Sequence, residues 1–287
     1  MSSLTMRELL EAGVHFGHRT RQWNPKMKRY IYGARNNVHI IDLHQTIKLF
    51  EAAMEKVKDT IEKGGNVLFV GTKKQTESAI REAATRCKQF YVSERWMGGL
   101  LTNWKTISQR ISRMKELDRL AEEGFFERLP KKEGMMREKE RERLHRFFDG
   151  IKDMSGPPDL IFIVDLKKES NAVLEARKLN IPIVAIADTN CDPDDADFAI
   201  PGNDDAIRAV RLISGKIADL ISELRPVDDE AIKAADTIAA ETAAEEGAAT
   251  EEELSLGEME MEMLRKFELE EEVESASGRN RRGREEE

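Results

Sequence analysis

The stretch NVLFVGTKKQTESAIREAATR (66–86) decides the fold class of this 287-residue chain. Its apolar run, 67–70, ends at Gly71, a pattern typical of a buried strand in a parallel sheet. Small and apolar residues then recur at helical spacing over 79–84, and Thr72 is the predicted N-cap. A strand, a tight turn and a helix form half of a βαβ unit, so the pattern predicts an α/β domain with further parallel strands.

Other apolar runs in the sequence predict the further strands of this sheet. Further strands are predicted at 89–92, 159–165, 181–188 and 198–200. Helices are predicted at 44–62, 169–179 and 206–224, the last capped by Asn203 or Asp204. A short helix capped by Ser3 or Thr5 and two short strands, 28–32 and 38–41, come before them. This order predicts a doubly wound parallel sheet built from residues 1–102 and 151–225.

An insertion and a tail complete the predicted organisation. Residues 103–150 hold 13 basic and 10 acidic side chains around narrow apolar seams, which predicts an inserted antiparallel helical hairpin, a coiled-coil arm. An ordinary solvated helix pair explains these charges equally well. Residues 226–287 are rich in Ala and Glu, which predicts a disordered acidic tail, with 256–273 as a candidate helix on binding a partner.

Charge is segregated along the chain, and the net charge of −9 conceals this. Residues 226–287 have 21 acidic and 7 basic side chains, whereas residues 1–225 have 34 acidic and 39 basic ones. A basic body with an acidic tail suggests an anionic partner for the body. Cys87 and Cys191 lack metal-type spacing, and no run approaches the roughly 20 apolar residues of a membrane span, so no membrane partner is expected.

Aromatic and His side chains alternate with Arg and Lys over residues 14–41, where acidic residues are few. Stacking surfaces mixed with cations suit RNA, although a solvated basic loop is the alternative interpretation. Lysines that follow Gly71 at a helix start add a position for a phosphate. The predicted RNA contacts are Arg19, Arg21, Lys26, Lys28, Arg29, Arg35, Lys73, Lys74, Arg95, Lys105, Arg110 and Arg113.

Two tryptophans, Trp96 and Trp104, flank the start of the predicted hairpin. Because Trp is large and costly to expose, both are interpreted as packed beneath the hairpin. The competing interpretation is that one of them stacks on a base.

Signatures of catalysis are missing from the sequence. It has no GxGxxG, no GxxxxGK[ST] and no GxSxG, so neither an active site nor a small-molecule substrate is expected. A nucleotide-using α/β enzyme is the alternative. His18, Asp188 and Asp204 are candidate ligands of a structural Zn²⁺ or Mg²⁺, because imidazole and carboxylate groups suit such ions; hydrogen-bonding roles are the commoner explanation.

Several motifs together resemble one family. They are VHFGH (14–18), WNPKM (23–27), RWMGGLLTNWKT (95–106), ADTNCDP (187–193) and IPGNDDAIRAVRLI (200–213). In collinear order, residues 5–224 resemble the bacterial small-ribosomal-subunit protein two family. The resemblance implies a flavodoxin-like sheet carrying a long helical hairpin, in a cytoplasmic structural protein of the ribosome that is not an enzyme and requires no cofactor. It also implies binding to 16S rRNA near the head–body junction, contacts with other small-subunit proteins, and help in docking ribosomal protein one.

Overall fold

The computed structural model describes residues 4–225 of the chain. All the described residues belong to one compact unit of the chain. The predictions of a disordered acidic tail over 226–287 and of a binding helix over 256–273 lie outside the described residues. Between residues 4 and 225, no helix is both long enough and apolar enough to cross a membrane.

A small antiparallel sheet forms the N-terminal part. Its elements and their neighbours are α1 (Met6–Glu11), β1 (Phe16–Arg19), β2 (Ile31–Arg35), β3 (Val38–Ile41) and α2 (Leu43–Glu62). The strand order is β1-β3-β2. Thr5 caps α1 in a reciprocal box with Glu8, as predicted. The strand predicted over 28–32 is wrong in its first half, because Pro25–Tyr30 forms a 3-10 turn capped by the Asn24 side chain.

The second sheet has five strands, all parallel. In chain order its elements are β4 (Val67–Val70), α3 (Lys74–Arg86), β5 (Phe90–Val92), α4 (Trp104–Glu122), α5 (Lys131–Phe148), β6 (Leu160–Val164), α6 (Ser170–Lys178), β7 (Ile183–Ala187), β8 (Phe198–Pro201) and α7 (Ile207–Leu224). The strand order is β5-β4-β6-β7-β8, which is 2-1-3-4-5 when counted within the sheet, the order of flavodoxin-like folds. The predicted α/β fold with a parallel sheet is confirmed.

Both faces of this sheet are covered by helices. Successive residues of a strand point to opposite faces, so Phe69 and Phe162 pack with α2, α3 and α7, while Leu68 and Ile161 pack with α4, α5 and α6. The Phe69 and Phe162 rings meet edge to face, with centroids 5.6 Å apart. Burial on both sides requires continuous apolar strands, which is why short apolar runs identified them in the sequence.

Helices α4 and α5 are joined by a short connection over residues 123–130, in agreement with a helix pair inserted into the sheet domain. Ion pairs join them, among them His145 Nε2 to Asp118 Oδ1 at 2.6 Å. Their apolar residues belong to the same buried cluster as strand residues Leu68 and Val70. Division of the chain into a sheet domain and a hairpin over 103–150 stays a prediction. The shared core argues against a hairpin that could be removed while the sheet stays folded.

Two predicted helix caps differ from the structure. The N-cap of α3 is Lys73, and the backbone N–H and the hydroxyl of Thr72 instead donate to the buried carboxylate of Glu169. The N-cap of α7 is Ala206, and it has no side-chain cap. Asn203 Oδ1 accepts from the backbone N–H groups of Asp205 and Ala206 at 2.9 and 3.2 Å, so it stabilises the turn that precedes the helix.

Candidate functional site

Charged side chains meet at the carboxyl ends of β4, β6, β7 and β8. Asp165 and Asp188 directly follow β6 and β7, while Lys73 and Asp204 lie in the turns after β4 and β8. Parallel strands end at one edge of a sheet, so these residues converge. Lys73 Nζ lies 2.7 Å from Asp165 Oδ2 and 2.9 Å from an oxygen of each of Asp204 and Asp205. The ammonium group of Lys73 therefore forms ion pairs with three carboxylates.

His18 reaches the same cluster from the small N-terminal sheet. Its Nδ1 lies 3.1 Å from Asp188 Oδ2, and its Nε2 lies 3.3 Å from Asp205 Oδ2. The backbone N–H of His18 donates to Thr189 Oγ1 at 2.8 Å. Gly17 permits this approach, since a Cβ there would lie 2.6 Å from Thr189 Cγ2. The cluster thus joins the small sheet to the five-stranded one.

Burial and neighbouring charges shift the pKa values of three groups in the cluster. Burial raises the pKa of Asp204 to about 7, helped by the charges of Asp188 and Asp165 and opposed by Lys73. A hydrogen bond with Asp188 raises the pKa of His18 by more than burial lowers it. Burial alone would lower the pKa of Lys73, but the carboxylates, with Asp204 foremost, raise it above its ordinary value. Negative groups outnumber positive ones in this cluster.

The three predicted metal ligands, His18, Asp188 and Asp204, are brought together by the fold. Each offers one ligand atom, and these atoms all lie within 4.8 Å of one another. Asp204 Oδ2 is buried and accepts no hydrogen bond from any residue in the described part of the chain. One imidazole nitrogen and two carboxylate oxygens form a donor set suited to a divalent cation.

Most of the predicted RNA-contact residues are exposed and unpaired. Those whose side chains form no ion pair or hydrogen bond with another residue between 4 and 225 are Arg19, Arg21, Lys28, Arg35, Lys74, Arg95, Lys105 and Arg110. The structure does not bring all of them to one place: the first four belong to the N-terminal sheet and its connections, and the other four lie around α3 and α4.

The other four predicted RNA-contact residues are paired with carboxylates. Lys26 Nζ lies 2.7 Å from Asp192 Oδ2 and 2.9 Å from Asp194 Oδ2, and Arg29 Nη2 lies 3.4 Å from Asp194 Oδ1. Arg113 pairs with glutamates of α4 and α5, and Lys73 belongs to the buried cluster. The density of basic residues in the sequence conceals this difference, because the acidic partners of Lys26 and Arg29 are more than 160 positions away.

A family model described as Ribosomal protein S2 matches residues 9–223, about three quarters of the chain. The chain belongs to the ribosomal protein S2 family. Proteins of the S2 family are structural, non-enzymatic components of the small ribosomal subunit in the cytoplasm, with rRNA and other ribosomal proteins as partners. The resemblance found in the sequence is confirmed, as is the prediction that the chain is not an enzyme. Proteins of this family require no cofactor.

Within this S2-family chain, one carboxylate organises the loop before α4. Glu175 Oε1 accepts from Trp96 Nε1 at 3.1 Å and from the Gly99 N–H at 2.8 Å. Its Oε2 accepts from the Leu101 N–H at 3.0 Å and from the N–H and hydroxyl of Thr102, both at 3.1 Å. Burial would raise the pKa of Glu175, but the hydrogen bonds from Trp96 and from the N–H groups of Thr102, Gly99 and Leu101 lower it. The loop therefore depends on a charged acceptor from α6.

Trp96 is 8% exposed and packs in the cluster that contains the apolar residues of α4 and α5, which confirms its predicted place beneath the helix pair. Trp104 is half-buried against the same cluster. Beside Trp96, an open groove of about 550 Å³ is bordered by Arg95, Arg110 and Arg143. Exposed guanidinium groups thus surround an apolar floor on this side of the molecule.

Sequence reasoning missed Asp165, Thr189 and Glu175. Asp165 was detectable, because it ends an apolar strand in the same way as Asp188 does. Thr189 and Glu175 had no such signal: Glu175 lies on a helix in which any charged residue is expected to face solvent. Only the fold shows that five donors converge on its carboxylate.

Proposed function

We propose that this S2-family chain binds 16S rRNA near the junction of the head and body of the small subunit, chiefly through the cations of its N-terminal sheet. The observation that carries the proposal is that Arg19, Arg21, Lys28 and Arg35 are exposed without an anionic partner among residues 4–225. Such cations exchange bulk counterions for RNA phosphates, and the release of the phosphate counterions supplies affinity.

The paired cations of the same segment provide a contrast. Lys26 and Arg29 are bound to Asp192 and Asp194, so they would have to exchange one anion for another to contact a phosphate. The same argument applies to Lys73 and Arg113, which have carboxylate partners of their own. We therefore assign the main electrostatic contribution to the unpaired residues, including Lys74, Arg95, Lys105 and Arg110 around α3 and α4.

A salt titration tests this assignment. Combined replacement of Arg19, Arg21, Lys28 and Arg35 by Ala should weaken binding to 16S rRNA and flatten the dependence of log affinity on log salt by a little under one unit per lost contact, roughly three units in all. The matched control is Lys26→Ala with Arg29→Ala, which should change the slope by less than one unit. Equal slopes for the wild type and the fourfold variant would contradict the proposal.

We propose further that the helix pair α4–α5 acts as an antiparallel coiled-coil arm that helps to dock ribosomal protein one. Support comes from three large apolar side chains near its connection, Phe125, Met135 and Met136, which are 41%, 53% and 63% exposed. Exposed apolar groups of this size are suited to a protein contact. Met135→Glu with Met136→Glu should lower the amount of protein one on purified small subunits, whereas Lys139→Glu should not.

We also propose a structural divalent cation, Zn²⁺ or Mg²⁺, at His18, Asp188 and Asp204. The support is the spacing of their ligand atoms and the buried, unpartnered Asp204 Oδ2. The cation would balance carboxylates that Lys73 alone does not neutralise, and the residues around it would fix β1 against the five-stranded sheet. Elemental analysis of the purified protein tests this. Bound metal in the wild type that is lost in Asp204→Asn supports the site; metal-free wild type after incubation with either ion contradicts it.

A further inference from the structure

The groove of about 550 Å³ beside the helix pair is formed by three parts of the chain. Residues 95–98, in the loop before α4, form one wall. The rest of its lining includes Ile107 and Arg110 from α4 and, from α5, Arg143 and Phe147. Within each helix these residues are three or four positions apart, a spacing that places them on one side of the helix. We name this cavity the arm groove.

The floor of the arm groove is apolar. Ile107, Leu144 and Phe148 are buried in the cluster that connects the helix pair to the sheet. Met97 and Phe147 pack against the same cluster and are half-buried. Because Phe147 lines the groove without being fully buried, part of its ring faces the open space. Apolar surface of this kind, inside a concave site, is suited to a ligand with an apolar surface of its own.

Three arginines at the edge of the arm groove give it a positive charge. Arg95, Arg110 and Arg143 are exposed, and none of their side chains forms an ion pair or hydrogen bond with another residue between 4 and 225. Because these charges have no anionic partner, the groove attracts an anion that can lie between them. Each guanidinium group also offers a planar face for stacking and a fork of donors for a phosphate.

Beyond Arg143 the surface changes in charge. A second cavity, of about 490 Å³, continues along α5 and shares Arg143 with the arm groove, but Glu133 and Glu140 line it. Glu140 lies 3.5 Å from Arg113 and 3.3 Å from Arg137, so these two arginines are already paired. Positive charge without an anionic partner is therefore concentrated at the arm groove, which favours a short ligand over a long strand.

The loop that forms one wall of the groove is held in place by hydrogen bonds. Trp96 Nε1 and the Gly99 N–H both donate to Glu175. The Leu100 N–H donates to the Met97 carbonyl oxygen at 3.0 Å. A wall fixed in this way does not have to be ordered when a ligand binds, which lowers the entropic cost of binding.

We propose that the arm groove binds one unpaired base of 16S rRNA, with the base on the apolar floor beside Phe147. The flanking phosphates lie on Arg95, Arg110 and Arg143. This inference rests on the proposed rRNA binding and assigns one nucleotide to a specific place on the protein. Cavities of about 300–1,000 Å³ hold small molecules, so a volume of about 550 Å³ has room for a base and its ribose.

An unpaired base explains the floor and the arginines together. A duplex keeps its bases stacked inside, so it presents phosphates and ribose to the arginines and leaves the apolar floor without a partner. A single phosphate would likewise leave Ile107, Leu144 and Phe147 uncovered. Single-stranded nucleotides, by contrast, combine stacking on aromatic side chains or guanidinium groups with phosphate contacts.

Gly98→Val tests the proposal, because Gly98 borders the arm groove and a Cβ built there would meet nothing within 4 Å. The backbone at Gly98 is not left-handed, so a valine is accommodated and its side chain narrows the groove. Affinity for 16S rRNA should fall about 5- to 100-fold, the range for one stacked base, with an unchanged salt slope because no charge is removed. The matched control is Gly156→Val, at a second open glycine that lies outside the groove, and it should bind like the wild type.

Arg143→Gln tests the charge at the edge of the groove separately. It removes one guanidinium group, so the slope of log affinity against log salt should flatten by a little under one unit. The matched control is Arg119→Gln. Arg119 lies about two and a half turns after Arg110, on the opposite side of α4, and is 3.7 Å from Glu123. Its replacement should leave the slope nearly unchanged.

Phe147→Ala provides a second variant, with the same expected loss of affinity, if Gly98→Val does not fold; thermal unfolding checks the fold of each. Chemical probing should show one base that the wild type protects and that stays reactive with either variant. Wild-type affinity in both variants overturns the base-binding proposal and leaves rRNA binding intact, whereas a wild type without specific binding defeats the proposed function instead. Normal rRNA affinity combined with failure to enter small subunits shows that a protein occupies the groove, and also overturns the proposal.

Discussion

Replacing Glu175 by Gln removes one negative charge and keeps the shape of the side chain. In the wild type, Oε2 accepts from the Leu101 N–H, the Thr102 N–H and the Thr102 hydroxyl. In Glu175→Gln an amide NH₂ faces these donors, or turns to face Trp96 Nε1 and the Gly99 N–H instead. Either orientation leaves at least two donors of the loop without an acceptor.

The expected loss follows from the donors left unpaired. A buried donor that loses its partner costs about 1–3 kcal/mol, and the exposed Thr102 regains part of this from water. We therefore expect Glu175→Gln to lower the free energy of unfolding by about 2–3 kcal/mol. For a domain of this size that corresponds to a fall in Tm of roughly 4–12 °C. The matched control is Glu142→Gln, on the exposed side of α5, which should shift Tm by less than 2 °C.

The effect of Glu175 also has a predicted pH dependence. Its pKa in the folded protein lies below the ordinary value of 4.5. A carboxyl group with a lowered folded pKa stabilises the protein above its unfolded pKa, and this stabilisation is lost as pH falls through the folded value. The difference in Tm between the wild type and Glu175→Gln should therefore be full at pH 7 and shrink below pH 4.5. Thermal unfolding followed by Trp fluorescence measures the Tm of each protein at each pH. Equal Tm values for Glu175→Gln and Glu142→Gln at pH 7 would refute the reasoning.

Three further predictions concern the core and the buried cluster. Trp96→Ala should lower the free energy of unfolding by roughly 3–5 kcal/mol in a denaturant titration, because it leaves a large cavity beneath α4; an unchanged midpoint would mean that Trp96 is dispensable for packing. Replacing residues 103–150 by a Gly-Ser linker should broaden or abolish the cooperative thermal transition, since it exposes apolar sheet residues, and a sharp transition near the wild-type Tm would make the hairpin separable. Lys73→Met should destabilise the fold by about 3 kcal/mol by leaving carboxylates without their cation, whereas the exposed neighbour Lys74→Met should be neutral by the same assay.

The five-stranded sheet was predictable because its strands are buried on both faces. Burial of that kind forces continuous apolar runs. These runs also located the end of β7, which Asp188 follows, and the end of β8, which precedes the turn that contains Asp204. The metal candidates His18, Asp188 and Asp204 were named from the sequence and meet in the structure. β1 was not predicted, because a bulged four-residue strand interrupted by Gly17 has neither alternation nor an apolar run.

Ion pairs between residues far apart in the chain could not be predicted from the sequence. Lys26 and Lys28 are two positions apart in the same basic segment, yet only Lys26 is neutralised, by Asp192 and Asp194 in the loop after β7. Whether a cation is free depends on contacts between distant parts of the chain. The local density of basic residues therefore does not reveal which of these cations are paired within the protein.

Lys73 lies where open sheets of this strand order commonly bind their ligands. In open sheets the ligand crevice lies outside the carboxyl ends of the strands, where the strand order reverses. Here β4 and β6 flank that point, and the side chain of Lys73 occupies it, bound to Asp165, Asp204 and Asp205. His18 completes the arrangement from the small sheet, so the crevice is used to fix one sheet against the other. A rigid junction at this edge holds the exposed arginines of the small sheet in a fixed position on the body of the protein, an arrangement that suits the proposed binding to a folded RNA.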